Sequence, residues 1–246
     1  MLPTMGGVCA TCGERLFSPY AVAGAPGELR CGLCRRVEPA FARAAAYGSY
    51  ESGLRELIHQ LKYGGVRPAA NVLGRMLAEA LAALAPEFPA DSVAVVPVPL
   101  HRTKLRQRGF NQADLIARAA MKISPASDRL HLCAGVLERK RETESQIGLT
   151  THQRRENLRG AFGVVQRELV AGREVLVVDD VYTTGATVSE CARVLRRAGA
   201  TKVWVATVAR TLKISAQHVE IGPRADESPN QKVEAERVPM AKAVGI

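Results

Sequence analysis

The chain contains few aromatic residues and no long apolar run. Phenylalanine, tyrosine and tryptophan make up 4% of its 246 residues, and there is one tryptophan. No stretch approaches the roughly 18 apolar residues of a membrane-spanning helix, and the first residues lack the basic-then-apolar pattern of a secretory signal. We therefore expect a soluble, cytoplasmic protein without membrane insertion. The chain also offers few aromatic platforms on which single-stranded bases could stack.

Two catalytic signatures are missing as well. The five histidines show no triad or metal-binding spacing, and the chain has no G-x-x-x-x-G-K-[ST] loop, which argues against a Walker-type nucleotide site. What is present in excess is positive charge, because 34 basic residues against 24 acidic ones give a formal net charge of +10. This balance favours anionic partners such as phosphates, nucleotides or nucleic acid.

Four of the six cysteines form two C-x-x-C pairs near the start of the chain. Zinc prefers four soft ligands in a tetrahedron, and each C-x-x-C turn offers two sulfurs on one side of a tight bend. A redox dithiol or a disulfide pair is the alternative, which a reducing cytosol disfavours. The pattern predicts a small structural zinc module over residues 1–44. Its ligands would be Cys9, Cys12, Cys31 and Cys34.

Valine-rich segments alternate with amphipathic segments through the middle of the chain. The segments "VAVVPVPL", "REVLVVDD" and "KVWVATVAR" are typical of buried strands, and "NQADLIARAAM" and "ATVSECARVLRRAG" of the helices between them. This order predicts an α/β domain over residues 45–212, with a mostly parallel sheet flanked by helices. Residues 213–246 have no aromatic residue and are rich in proline, serine, glutamate and lysine, which predicts a disordered tail.

The stretch "VLVVDDVYTTGATV" sets Asp179 and Asp180 immediately before a turn rich in hydroxyl groups and glycine. Ligands of parallel sheets gather at the carboxyl ends of the strands. Backbone amides and a helix start suit a phosphate, whereas carboxylates suit hydroxyl groups, so the pattern favours a ribose 5-phosphate. A Walker B strand would need the missing loop, and a plain strand and helix with a capping threonine would leave the two aspartates without a role.

Residues Val175–Thr187 resemble the phosphoribosyl pyrophosphate signature of type I phosphoribosyltransferases: apolar residues, two acids and a T-T-G-x-T turn. Together with the cysteine pairs, the segments "LKYGG", "VPVPLHRTKLRQRGFNQADLIA" and "RRENLRGAF" are more narrowly similar to the ComF family of competence-associated, phosphoribosyltransferase-like proteins. The resemblance covers roughly Cys9 to Arg210 and implies a type I phosphoribosyltransferase-like fold.

The resemblance also implies ligands and roles for particular residues. Phosphoribosyl pyrophosphate would bind with Mg²⁺, and Asp179 and Asp180, in the catalytic site, would hold the ribose 2- and 3-hydroxyls. The 5-phosphate would be enclosed by Thr183, Thr184, Gly185, Ala186 and Thr187. The pyrophosphate loop would be Pro97, Val98, Pro99 and Leu100, with Lys104 and Arg108 as the first-choice cations beside it. A solvated basic loop is the alternative for these cations.

Two further segments are predicted to lie near this site. The polar stretch between Leu137 and Phe162 is a candidate for the mobile loop that closes over the sugar in phosphoribosyltransferases, and a charged surface loop is its alternative. We expect Lys62, at the end of a predicted helix, to be a solvated surface lysine, with a phosphate-directed role as the alternative.

Two functions of different classes follow. The protein either transfers a phosphoribosyl group to a nitrogen acceptor, or acts without catalysis in DNA uptake and natural transformation, binding single-stranded DNA or uptake proteins and sensing a phosphoribosyl ligand. No segment identifies the acceptor. If DNA binds, we expect it near the aromatic residues of the zinc module and first helix. These are Phe17, Tyr20, Tyr47, Tyr50 and Tyr63.

Overall fold

A five-stranded sheet forms the centre of the computed structural model, which describes residues 7–16, 29–89, 92–142 and 150–212. All the strand pairs in this sheet are parallel, in the order β1-β7-β6-β2-β3, and β4 and β5 form a separate antiparallel pair. The strands are β1 (Arg43–Ser49), β2 (Val93–Pro97), β3 (Leu130–Leu132), β4 (Leu137–Arg139), β5 (Phe162–Val164), β6 (Glu174–Tyr182) and β7 (Lys202–Arg210).

Helices cover both faces of the sheet. They are α1 (Gly32–Arg36), α2 (Ser52–Lys62), α3 (Ala69–Leu84), α4 (Arg102–Arg108), α5 (Gln112–Met121), α6 (Thr151–Leu158) and α7 (Ala186–Arg197). Short 3-10 turns occupy Ala85–Glu87, Ser127–Arg129 and Arg167–Leu169. Among the helices of the described residues, none is both long and apolar enough to cross a bilayer.

The sequence of strand β6 explains why helices pack on both faces of the sheet. Its successive side chains point to opposite faces, so Leu176 and Val178 join the apolar cluster under α3 and α5, while Val175 and Val177 join the cluster under α7. All four are fully buried, and burying a side chain of this size stabilises the fold by about 1.5–3 kcal/mol. A strand with two apolar faces therefore fits only in the middle of a covered sheet.

The predicted α/β fold, with its mostly parallel sheet and flanking helices, is confirmed. Strand β1 was not predicted: its sequence "RAAAYGS" is rich in alanine, and it is held by pairing with β7. It begins at Arg43, and the Ala44 amide beside it donates to the Thr11 carbonyl at 2.7 Å, so it adjoins the cysteine segment directly. The boundaries 1–44, 45–212 and 213–246 stay predictions, and the proposed tail lies outside the described residues.

Gly74 brings helices α3 and α5 into close contact. A Cβ atom at this position would collide with the Ala119 Cβ atom and would lie 3.0 Å from backbone atoms of both Ala119 and Ala120, tighter than most real Cβ contacts. We expect Gly74→Ala to lower the free energy of unfolding by about 1–3 kcal/mol, because two packed backbones would have to separate. Urea unfolding measures this change.

Gly53→Ala is the matched control, because Gly53 also lies in a helix but has open space where a Cβ would be added. This change should stabilise the protein by about 0.5–1 kcal/mol through the better helix propensity of alanine. Equal effects of the two substitutions would contradict the close helix contact.

Candidate functional site

Asp179 and Asp180 lie where β6 extends past its neighbour β2. Strand β2 ends at Pro97, which is opposite Val178, so the two acids are the next residues of β6 on that side. On the other side β6 continues to pair with β7 as far as Tyr182. Both acids are buried. They lie directly beside the place where β6 runs on past the carboxyl end of β2, which we call the notch.

Asp180 is held by two side chains from different helices. The Lys62 ammonium of α2 forms an ion pair with its Oδ2 atom, and the Gln112 amide of α5 donates to its Oδ1 atom at 3.4 Å. Burial alone would raise the pKa of Asp180, but the Lys62 charge and hydrogen bonds from the neighbours outweigh burial and lower it. Asp180 is therefore an ionised carboxylate.

Asp179 has the opposite electrostatic environment. Burial, followed by the charge of the adjacent Asp180, raises the pKa of Asp179 well above its ordinary value. Its Oδ1 atom accepts a hydrogen bond from the Asp180 backbone amide at 2.9 Å. The pair therefore combines a strong acceptor with a carboxyl group that holds its proton more tightly, and two carboxyls of this kind can contact neighbouring hydroxyl groups.

The expectation that Lys62 is a solvated surface lysine is wrong. Its side chain is 18% exposed and is directed at Asp180. Burial would lower the pKa of Lys62, but the Asp180 carboxylate raises it overall, so the lysine stays charged. Helical periodicity placed Lys62 at a helix end, whereas its partner lies far away in the sequence, and a helical pattern carries no information about such a contact.

The turn after β6 leads directly into helix α7. Gly185 has φ 76° and precedes the first residue of α7, and the Thr184 hydroxyl accepts a hydrogen bond from the Ala186 amide at 3.4 Å. A Cβ atom on Gly185 would collide with the Tyr182 ring, so only glycine fits. Thr183 and Thr187 are half-buried beside it, and the five predicted phosphate-loop residues thus form one continuous turn and helix start.

The predicted pyrophosphate loop follows β2 at the same edge of the sheet. The Val98 amide still donates to the Val178 carbonyl at 2.9 Å, and Pro99 and Leu100 are half-buried. The Val98 carbonyl accepts a hydrogen bond from the Asn111 side chain at 3.0 Å, and the Asn111 carboxamide oxygen also caps the start of α5. The loop is therefore fixed from both sides.

Lys104 and Arg108 lie together in one basic pocket. This pocket has a volume of about 340 Å³, and Lys62 also lines it, with Tyr63 and Phe110 as its aromatic walls. The Arg108 guanidinium lies 5.5 Å from the Tyr63 ring centroid and donates to the Gln112 side chain. Lys62 lines this pocket and also contacts Asp180. Gln112 is a second connection between the pocket and the acid pair, because it accepts a hydrogen bond from Arg108 and donates one to Asp180.

The predicted lid segment is described only in part. Its ends form β4, α6 and the start of β5, while residues 143–149 lie outside the described residues. A capping box at Thr150 and Gln153 begins α6, and Glu190 of α7 accepts a hydrogen bond from the Gly160 amide at 2.8 Å. That this segment closes over a ligand stays a prediction.

The four N-terminal cysteines form one buried cluster of free thiols. Their sulfur atoms all lie within 4.8 Å of one another, and the Cys12 and Cys31 sulfurs are 3.7 Å apart. Zn–S bonds of about 2.3 Å in a tetrahedron require sulfur pairs about 3.8 Å apart. The residues therefore fit a zinc ion, and four thiolates would leave it no open position for catalysis.

Comparison with known proteins agrees with this geometry. A family model described as the phosphoribosyl transferase domain matches residues 108–224, a range that includes the acid pair and the phosphate-type turn. The "DNA utilization protein YhgH" of Escherichia coli is 35% identical over 216 residues, which cover 84% of this chain and 91% of that relative. The "Competence protein F" of Haemophilus influenzae is 32% identical over 83% of this chain and 90% of its own length. The chain belongs to the ComF family.

A more distant ComF relative is the "Competence protein ComFC" of Bacillus subtilis, which is 24% identical over 61% of this chain and 57% of its own length. The ComF resemblance, predicted from the cysteine pairs and from segments such as "LKYGG" and "RRENLRGAF", is thus confirmed. The relatives are named for competence and for DNA utilization, and these names describe those proteins.

The two acids should respond oppositely to amide substitution. The raised pKa of Asp179 means that the folded state binds this proton more tightly, so stability falls as the pH rises from the ordinary value of 3.8 through the raised one. Asparagine does not titrate, and Asp179→Asn should therefore stabilise the unliganded protein at neutral pH by about 1 kcal/mol or more. Asp180→Asn should destabilise it by about 2 kcal/mol, because Lys62 loses its carboxylate partner.

Urea unfolding at pH 4 and pH 8 measures both effects. The gain from Asp179→Asn should grow with pH, and Asp128→Asn, on an exposed acid, serves as the matched control with a change of less than about 0.5 kcal/mol. Changes of the same sign for Asp179→Asn and Asp180→Asn would contradict the assigned protonation of the pair.

Metal content tests the cysteine cluster. Elemental analysis of the purified protein should find a single zinc ion per chain, and Cys9→Ser/Cys31→Ser should abolish it because two soft ligands are lost. Cys133→Ser is the control, since Cys133 is a buried cysteine outside the cluster and its loss should leave the zinc in place. Zinc that persists in the double variant would disprove the four-cysteine assignment.

Proposed function

We propose that this ComF protein binds phosphoribosyl pyrophosphate, or a related ribose 5-phosphate, at the edge of the sheet. One observation carries the proposal: a buried acid pair lies between a phosphate-type turn and a basic pocket. Asp179 and Asp180 follow Val178, the last residue of β6 that pairs with β2, and Gly185 lies in the turn shortly after them. Lys62 lines the pocket and also contacts Asp180. A sugar phosphate with a second anionic group could bind all three: its phosphate at the turn, its hydroxyl groups at the acid pair and the second anionic group at the basic pocket.

The phosphate would bind at the turn formed by residues 183–187. Amides at the start of α7 are not used within the helix, and a helix of 12 residues presents its positive end there. Carboxylates repel a phosphate, so Asp179 and Asp180 would instead accept hydrogen bonds from the ribose 2- and 3-hydroxyls. The sugar would then extend from the turn to the notch beside β2.

The pyrophosphate would bind on the β2 side of the notch. The turn at Val98 and Pro99 borders it, and the cations Lys62, Lys104 and Arg108 line the adjoining pocket. Lys62 is the residue that joins the two halves, since the same ammonium contacts Asp180 and lines the pocket. We expect it to leave Asp180 for the pyrophosphate when the sugar hydroxyls take its place.

Magnesium would enter with the pyrophosphate, whose charge it would neutralise while keeping several water ligands. Oxygen donors of the kind that Mg²⁺ prefers are present in the acid pair, but Lys62 and Gln112 already contact Asp180. Asp179 and Asp180 would help to hold the ion, and its charge would stabilise the negative charge of the leaving pyrophosphate.

Transfer of the phosphoribosyl group to a nitrogen acceptor is the reaction this arrangement supports. As the bond from C1 to pyrophosphate breaks, positive charge develops on the sugar ring and negative charge on the leaving group. The basic pocket would stabilise the leaving group, the acid pair would hold the ring in position, and a closed lid would keep water from C1. A nitrogen lone pair would then form the new bond to C1, with pyrophosphate released.

Binding of single-stranded DNA without catalysis is the second candidate, favoured by the names of the relatives and by one surface feature. The Tyr63 ring is 74% exposed, and the Arg108 guanidinium lies 5.5 Å from its centroid, so an aromatic face and a cation occur together. The other described tyrosines are less suited to stacking on a base. The Tyr50 hydroxyl is hydrogen-bonded to His59 at 2.9 Å, and Tyr47 is only 42% exposed, less than Tyr63. Phe17 and Tyr20 lie outside the described residues.

Calorimetric titration with phosphoribosyl pyrophosphate and Mg²⁺ tests the site. The protein should bind, and Asp179→Asn/Asp180→Asn should weaken binding by about 100-fold or more, because amide oxygens accept hydrogen bonds from hydroxyl groups more weakly than carboxylates do and the amide NH₂ groups cannot accept them. Asp128→Asn is the matched control and should bind like the unchanged protein. Equal binding by the double variant would falsify the assignment of the acid pair.

Two further measurements separate the candidate functions. Pyrophosphate release should be detected with at least one member of a panel of bases and amines if the protein is a transferase, and intact binding without release would favour the non-catalytic role. Anisotropy of a labelled oligonucleotide then tests that role, with affinity expected to fall steeply as salt is added and to fall further in Tyr63→Ala.

A further inference from the structure

Arg210 is a buried cation that the proposed sugar site does not use. It is the last residue of β7 and is 6% exposed. Its guanidinium donates to the Cys12 carbonyl, lies 3.7 Å from the Cys12 sulfur and pairs with the Glu14 carboxylate. Arg210 thus contacts the four-cysteine cluster at two atoms of Cys12 and the same segment at Glu14.

The other side of Arg210 contacts the strand that leads into the phosphate-type turn. Its guanidinium carbon lies 4.5 Å from the Tyr182 ring centroid, and the two residues are register partners in β6 and β7. The Phe41 ring packs edge-on against Tyr182, with centroids 6.5 Å apart. The Tyr182 side chain is therefore held between the cysteine segment and the sheet.

Tyr182 in turn fixes Gly185. The tyrosine ring and hydroxyl fill the space into which a side chain at Gly185 would project, and Gly185 sets the direction in which α7 begins. A shift of the tyrosine ring would therefore alter the positions of the amides that face a phosphate. A continuous set of contacts runs from Cys12 through Arg210 and Tyr182 to this turn.

We propose that Arg210 and Tyr182 couple the four-cysteine site to the phosphate-binding turn, so that a bound metal holds the turn in its binding conformation. The inference rests on the proposed function for its ligand. Arg210 is a positioning residue here, since it acts through Tyr182.

The fork shape of arginine accounts for the coupling. A planar guanidinium can bond a carbonyl and a carboxylate while one face packs on a ring, and lysine has no equivalent geometry. The contact between Arg210 and Cys12 depends on the position of Cys12. A metal ion bound by the four sulfurs would fix that position. Removal of a bound metal would leave the four sulfurs, which lie within 4.8 Å of one another, without a common partner, and the position of Cys12 against Arg210 would then be less fixed.

Hydrogen exchange at the amide that closes onto the turn tests the coupling without any ligand. This is the Ser189 amide, which donates to the Gly185 carbonyl at 2.9 Å. Removing zinc from the full chain with a chelator should speed its exchange by about tenfold, a typical size for coupling between two sites. The amides of β2 are the internal control and should keep their protection. Unchanged exchange at the Ser189 amide would overturn the proposal, and so would an equal loss of protection in β2, which would indicate general unfolding.

Two variants separate coupling from a purely structural role. In Arg210→Met/Glu14→Gln, which removes both buried charges together, the zinc should remain, the Ser189 amide should exchange fast from the start, and chelation should add nothing. Arg210→Lys keeps the charge for Glu14 but not the fork, so it should show the same behaviour more weakly. A Ser189 amide that still responds to chelation in the double variant would disprove the route through Arg210.

Ribose 5-phosphate then tests the link to the proposed function. Zinc-loaded protein should bind it about tenfold more tightly than chelated protein, and the sugar phosphate should strengthen zinc binding by the same factor, because linkage is reciprocal. If the zinc-loaded protein binds no ribose 5-phosphate or phosphoribosyl pyrophosphate, the proposed function fails, while the exchange experiment still decides the coupling.

Discussion

A carboxylate buried at the edge of a sheet needs a cation, and the ion pair between Asp180 and Lys62 meets this need. The Asp180 side chain is 5% exposed, too little for water to stabilise its charge alone. The pair joins the end of α2 to β6, and Gln112 brings the start of α5 to the same carboxylate. Two helices and the central strand are thus held at one point, and the notch, the turn and the basic pocket are arranged around it.

This arrangement also separates the roles of two identical side chains. With Lys62 beside it Asp180 stays ionised, and its charge then raises the pKa of Asp179. Two buried acids next to each other destabilise the unliganded protein. Such a destabilising group of hydrogen-bonding atoms is typical of a binding site. This chain thus combines a destabilising acid pair with a separate cysteine cluster in its first part.

Much of the fold and the position of the candidate site could be predicted from the sequence, because they follow from patterns of neighbouring residues. The C-x-x-C spacing indicated the cysteine cluster, the valine-rich segments indicated the inner strands, and two acids before a T-T-G-x-T turn indicated where the candidate site lies. The remainder depends on contacts between distant residues. Lys62 and Arg210 find their partners only after folding, and no periodicity in their own segments points to Asp180 or to Cys12. Strand β1 was missed for a related reason, since its alanines pack well beside β7 but have no strand signature.

A sugar phosphate held by an acid pair and a turn is compatible with transfer or with sensing, and the position of the sugar is common to both. The most direct test is a crystal structure of the full chain with ribose 5-phosphate and Mg²⁺. The account predicts the phosphate at the amides of residues 183–187, the ribose hydroxyls on Asp179 and Asp180, and Lys62 displaced from Asp180. A sugar bound elsewhere, with the contact between Lys62 and Asp180 unchanged, would contradict it.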